Sequence, residues 1–277
     1  MTRSTFIVSS LALAIGSFTL AGAAWADKLD DVRKAGVLRV AAFDGNPPFG
    51  YIDPASKKQV GHDIDLATEF AKSLGVKVEL VPTNPANRIP LLTSGKVDVV
   101  FASFTITDER AKAVDFTTPY FLVGQQFLAK KGLLTDAAQI KEIRIGTEKG
   151  TTMESNLRKN YPDAKVVLYD DSPFALAALR NGNVQAITND GVKLTAQWNA
   201  LPDRDRYEIA PITVSREYLG AAVPKGETRL LEALNTWLVD SEKNGRALAI
   251  YDTWFGPNSK APLPRLLKIG DQRVAAN

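Results

Sequence analysis

Ser103, Thr105 and Arg110 bring two hydroxyl groups and a guanidinium to the end of one apolar run. The planar donor fork of an arginine matches a carboxylate bidentately, and neighbouring hydroxyls add donors, so these residue types at this spacing describe an anion site suited to a carboxylate. A plainer alternative is that Arg110 makes a solvated ion pair with Asp108, Glu109 or Asp115, which would contribute little. The apolar run is Val97, Val99, Val100, Phe101 and Ala102, preceded by Gly95, and it predicts a buried strand of a parallel sheet. Ser103 and Thr105 follow at the strand period of two, which would face both hydroxyls one way and turn Phe104 into the core. Open α/β sheets hold ligands beyond the carboxyl ends of their strands, where this segment falls.

The elements that must position these groups alternate between strand and helix. LRVAAF (residues 38–43) predicts a strand. Residues 63–74 predict a helix with Ile64, Ala67, Phe70, Ala71 and Leu74 on one face, ended by Gly75. VKVEL is the next strand, residues 88–94 a short helix closed by Gly95, and VDVVFA the strand before the hydroxyls, which makes a βαβαβ unit. A second unit follows: a strand at 143–146, a helix at 152–159, the strand VVLY, a helix at 173–180 ending before Gly182, and the strand VQAIT. LLTSGKVDVV and ALRNGNVQAI both place a glycine two residues before the valine that opens a strand, which supports two lobes of like build. The mostly apolar, extended stretches 121–131 and 217–225 would join the lobes, with hinge points at 124–127 and 217–220. Residues 228–243 carry Leu230, Leu231, Leu234, Trp237 and Leu238 at helical spacing and would return to the first lobe.

Residues 1–26 begin with Arg3, continue through an apolar stretch from Phe6 to Leu20 and end in Ala24-Trp25-Ala26, the pattern of a secretory signal peptide. The chain has 277 residues, no Cys, one His and a formal net charge of +3. Near-balanced charge without a dense basic tract excludes nucleic acid as an expected partner. A single His62 leaves no paired-histidine metal or catalytic site, and its place before a helix suggests surface or packing. No G-x-S-x-G, P-loop or G-x-G-x-x-G motif is present, so hydrolase, NTPase and dinucleotide chemistry lack their local signatures.

Three segments in order, GVLRVAAFDGNPPFGYID, GHDIDLATEFAKSLGVKVELVP and NRIPLLTSGKVDVVFASFTITDERAKAVDFTTPY, resemble the periplasmic polar amino-acid-binding proteins of solute-binding protein family 3. The resemblance covers nearly the whole chain after the leader, most specifically over residues 106–120. It implies an α/β, two-lobed periplasmic binding protein fold of type II, each lobe a mostly parallel sheet flanked by helices, joined by two hinge strands. Residues 27–123 with 221–277 would form the first lobe and 124–220 the second. The expected partners are a free amino acid and the permease of an ABC transporter in the inner membrane, with the protein exported to the periplasm and nothing demanding more than a monomer. No catalytic residue, cofactor or metal is expected.

The resemblance carries a carboxylate clamp onto Arg110, aided by the hydroxyls of Ser103 and Thr105. Gly150, Thr151 and Thr152 would offer the free N–H groups of a helix start to the same carboxylate, or form an ordinary N-cap. Asp190 matches the acidic partner of the ligand ammonium. Since Arg110 belongs to the first lobe and Thr152 and Asp190 to the second, only a closed form would let one zwitterion touch all of them. Arg88 matches an arginine of acidic amino-acid binders, although a helix-surface position is equally compatible, and Asp44 would lie near the same ligand side chain. Asn46 and Pro85 stand where many members place aromatic rings. The side chain expected is polar, with a lean to glutamate, aspartate or their amides. The resemblance extends to two other roles: a cyclohexadienyl dehydratase-like enzyme, with Asp44 or Glu148 nominated as acid or base, and a solute receptor for a membrane sensor.

Overall fold

In the computed structural model residues 27–271 are described, and the leader assigned to residues 1–26 lies outside them. The first sheet has the strand order Lys77–Thr83, Val37–Phe43, Val99–Val100, Ala222–Pro224, Val114–Phe116. Its first three strands run parallel and the last two pair antiparallel. Val37–Phe43 lies inside this sheet with Val40, Ala41, Ala42 and Phe43 all buried, the unbroken pattern of a strand covered on both faces. The helix His62–Ser73 turns Leu66, Ala67, Phe70 and Ala71 onto one side of the sheet, where Leu230, Leu234 and Leu238 of the helix Thr228–Lys243 complete the cluster. Gly75, at φ 74°, takes the left-handed conformation that stops the first of these helices.

The second sheet repeats the plan, in the order Lys165–Tyr169, Arg144–Glu148, Ala186–Asp190, Gln125–Lys130, Tyr207–Ile209, again three parallel strands and then two antiparallel. Between the two sheets, Phe121–Val123 pairs antiparallel with Glu217–Leu219. The chain crosses to the second sheet after one of these strands and returns to the first sheet after the other, at Ala222–Pro224. Two five-stranded sheets, each flanked by helices and linked by a pair of hinge strands, make the two-lobed periplasmic binding protein architecture.

Two local features differ from the sequence expectation. The strand before the hydroxyls is only Val99–Val100, because the chain bends at Ser103, whose φ of 42° leaves the extended region. Period-two alternation therefore does not set the direction of Ser103 and Thr105. The helices Gly191–Ala200 and Arg246–Phe255 were not anticipated, and neither has a side-chain cap bond at its start. Without a capping signal, an apolar stretch after a strand or after Gly245 is hard to distinguish from a loop. Of the two places open to His62, surface or packing, it takes the second: it is buried edge-on to Phe49 and Phe121 in an aromatic cluster that includes Phe255.

Candidate functional site

Both sheets point strand ends into the cleft between the lobes, where open α/β sheets place their ligands. One cavity there is lined by Ser103, Thr105, Arg110, Arg88 and Phe43 from the first lobe and by Thr152, Asn189, Asp190 and Lys193 from the second. Its volume is about 10 Å3, no more than a single water needs, so an amino acid can enter only if the lobes part. The lobes touch directly around it. Arg110 donates to the carbonyl of Gly150 at 3.0 Å, Arg88 to the same carbonyl at 3.4 Å, and Asn46 to Asp171 at 3.0 Å.

Gly150 brings the second lobe's backbone close to that of Ala86 on the first. Its φ is 77°, and a Cβ there would lie 3.0 Å from the Cα of Ala86. Gly150→Val is therefore expected to weaken ligand binding by more than its backbone strain of roughly 1–2 kcal/mol, because the added contact with Ala86 opposes closure. Titration calorimetry set beside thermal melting checks this: a loss of stability with unchanged affinity would remove Gly150 from the closing contact.

Arg110 stacks its guanidinium 4.9 Å from the centroid of Phe104 and donates to the carbonyl of Thr105 at 2.8 Å. Burial pulls its pKa down to about 10, so it remains charged at neutral pH. The surface pairing with Asp108, Glu109 or Asp115 is not formed; Asp115 binds Lys225 instead. Arg88 is 3% exposed and is not a helix-surface residue. It makes four hydrogen bonds to main-chain carbonyls, those of Pro85, Ala102, Ser103 and Gly150, and its guanidinium lies 4.3 Å from the centroid of the Phe104 ring. Phe104 thus belongs to the core and also carries both arginines.

The turn at Ser103 has its own supports. Asp63, buried at the start of the helix His62–Ser73, accepts from the Ser103 N–H at 2.7 Å, and Arg88 holds the Ser103 carbonyl at 3.2 Å. A non-glycine residue at positive φ costs on the order of 1–3 kcal/mol and persists where surrounding bonds over-determine it. Its hydroxyl oxygen is buried without a protein partner. The hydroxyls of Thr105 and Thr152 are engaged differently. Both donate to one carboxylate oxygen of Glu217, at 3.0 and 2.5 Å, while its other oxygen accepts from Asn156 at 2.9 Å and Ser215 at 2.7 Å. A hydroxyl has one proton, so in this arrangement the two threonines present only lone pairs elsewhere. Of the hydroxyls expected at the clamp, Ser103 alone is free to donate.

On the second lobe, the Thr151 side chain caps the helix Thr152–Asn160 by accepting from Glu154 N–H, so the N-cap role is realised. Gly150 contributes its carbonyl to both arginines. Asp190 ends the strand Ala186–Asp190, is 2% exposed, and pairs one oxygen with Lys193 at 3.1 Å while the other oxygen has no protein partner. Burial raises its pKa, against the opposing pull of Lys193. Asp44 does not line this cavity; it lies toward Asp171, whose carboxyl it helps to push up after the larger effect of burial. Lys193, Glu217 and Asn189 were not foreseen as site residues. Glu148, nominated only for the enzyme role, is buried behind Asn189, which donates to it.

Residues 38–257 match the bacterial extracellular solute-binding proteins, family 3, and the chain belongs to that family. It is 35% identical over 231 residues to the L-cystine-binding protein TcyJ of Escherichia coli (strain K12), covering 82% of this chain and 86% of that one. It is 32% identical to the ABC transporter glutamine-binding protein GlnH of Bacillus subtilis (strain 168), covering 75% of this chain and 77% of the relative. Among solved structures, a solute receptor for L-cysteine of Neisseria gonorrhoeae superimposes with a TM-score of 0.78 at 35% identity, over 82% of this chain and 92% of that one.

Proposed function

We propose that this protein captures a free polar L-amino acid between its closing lobes in the periplasm and delivers it unchanged to the permease of an ABC importer, acting as a binding protein and not as an enzyme. The observation that carries this reading is the pairing of Arg110 on one lobe with Asp190 on the other across a single closed cavity. One is a fixed cation with uncommitted donors; the other is a carboxylate with a free buried oxygen. A zwitterion supplies the complementary charges at the separation of one Cα. Arg110 takes the α-carboxylate with the Ser103 hydroxyl beside it and N–H groups at the start of the helix Thr152–Asn160 opposite. Asp190 takes the α-ammonium. Contacts from both lobes exist together only in the closed form, so ligand stabilises closure by the difference.

The lobes divide, in this reading, into residues 27–123 with 221–277 and residues 124–220, and a monomer suffices. The side chain is polar, acidic or amide. Calorimetric titration of the ligand-stripped protein lacking residues 1–26 against the standard amino acids and cystine tests the reading. One-to-one binding of a free polar amino acid is expected, with α-amide and N-acetyl derivatives failing to bind and the ligand recovered unchanged. Equal binding of the blocked derivatives would remove the Arg110 and Asp190 assignments, and a chemically altered ligand would favour the enzyme role.

A further inference from the structure

Lysine is almost never fully buried unless it is paired, yet Lys193 is 5% exposed at the centre of the cleft. It projects from the first turn of the helix Gly191–Ala200, and its ammonium sits 5.3 Å from the Phe43 ring and 5.8 Å from the Phe49 ring, both from the opposite lobe. Its ion-pair partner among the described residues is Asp190. An ammonium has three N–H donors, so this single pairing leaves donors for the cavity that Lys193 lines.

The residues that line the cavity carry more cations than carboxylates, with the Glu217 carboxylate held just behind the wall by Thr105 and Thr152. Three cations, Arg88, Arg110 and Lys193, face one carboxylate, Asp190. A zwitterion consumes Arg110 and Asp190 and adds no net charge. Arg88 is engaged by main-chain carbonyls. Those bonds commit four of its five N–H donors, whereas Lys193 has committed one of three and has more to offer.

We propose that Lys193 recognises the ligand's side chain by donating from its ammonium to a second carboxylate, so that the site takes an acidic amino acid in preference to the amide of the same shape. This rests on the amino-acid-binding reading above. Lys193 replaces Arg88 in the selective role, and the two aromatic rings on the far lobe hold its ammonium in place when the cleft closes.

A further carboxylate behind the wall, Glu148, gives a second signature of the same event. Glu148, at the end of the strand Arg144–Glu148, accepts from Asn189 through one oxygen, and its other oxygen is buried without a protein partner. It is faced by Lys193 from the helix Gly191–Ala200, Asp171 from the turn before Ser172–Arg180, Asp190 from the neighbouring strand and Arg88 from the first lobe. Burial pushes its pKa up to about 7, and Asp171 and Asp190 add to the rise while Lys193 and Arg88 oppose it. An anion arriving beside Lys193 raises the proton affinity of Glu148 further. Binding therefore takes up a proton near neutral pH, and affinity for an acidic ligand is greater below pH 7 and falls as pH rises through it.

The test is the dissociation constants of L-glutamate, L-aspartate, L-glutamine and L-arginine for the ligand-stripped protein and for Lys193→Met, at pH 6 and pH 8, in buffers of differing ionisation heat. The unmodified protein is expected to prefer the acid to its amide by about 10- to 100-fold, the worth of a hydrogen bond between charged groups. Lys193→Met brings that ratio close to one, Lys193→Arg keeps it, and Glu148→Gln flattens the pH dependence. Preference for glutamine or arginine by the unmodified protein overturns the proposal without any variant, as does an acid preference that survives Lys193→Met. Failure to bind any amino acid sinks the binding reading itself and this proposal with it; selective binding of a non-acidic amino acid sinks this proposal alone.

Discussion

Arg110→Ala is expected to weaken binding of the amino acid by roughly 2–5 kcal/mol, the range for truncating one member of a buried charge pair. The guanidinium has five N–H donors, of which two go to the carbonyls of Thr105 and Gly150. Those two bonds and the Phe104 ring fix its plane, so little side-chain freedom remains to be lost when a carboxylate arrives. The carbonyl of Gly150 belongs to the far lobe, which means that the same arginine also contributes to closure without ligand. Its loss therefore acts on binding twice, through the missing carboxylate partner and through a closed state that is less favoured. Arg110→Lys separates the two, since a point charge keeps attraction for the carboxylate but cannot reproduce the fork. Calorimetry on both variants, with thermal melting to show that the fold survives, decides the matter. Affinity unchanged in Arg110→Ala would place the carboxylate elsewhere, with Lys193 the next cation in the wall.

Much of this architecture was legible from periodicity and from glycines at element ends. The helix His62–Ser73 and the strand Lys77–Thr83 were both recognisable because an apolar face or run is bounded by a helix-stopping glycine, Gly75, at φ 74°. The clamp segment was recognisable by residue type, but the geometry that brings Ser103 and Thr105 to the cavity was not: it comes from a positive φ held by Asp63, a contact across 40 residues. Lys193 left a faint trace, since a lysine three residues after an aspartate pairs with it once the aspartate stands at a helix start. That trace needed the helix Gly191–Ala200, which has no side-chain cap to announce it. Glu217 left none. Its carboxylate meets Thr105, Thr152, Asn156 and Ser215, a convergence of three chain segments that no local spacing encodes.

Arg88→Ala is expected to cost stability more directly than specificity, with unfolding free energy falling by roughly 1–3 kcal/mol for each buried carbonyl left unsatisfied. Burial pulls the Arg88 pKa well down, with the neighbouring Arg110 adding to the fall, so the site tolerates this charge because four of its five donors are satisfied. The satisfying groups are the carbonyls of Pro85, Ala102 and Ser103, and across the cleft that of Gly150. Removing the side chain leaves buried acceptors unpaired at the turn that positions the Ser103 hydroxyl, and it empties the space beside Phe43 and Phe104. Methionine at the same position refills part of that space without supplying donors, so Arg88→Met isolates the hydrogen bonds from the packing. Urea unfolding of the three forms measures the difference, and the acid-to-amide ratio of the variants that still bind gives the second coordinate. A ratio that collapses while stability holds would return Arg88 to the pocket as a side-chain ligand. A stability loss with the ratio intact makes it the frame on which Arg110 and Ser103 are mounted, and leaves Lys193 to choose the ligand.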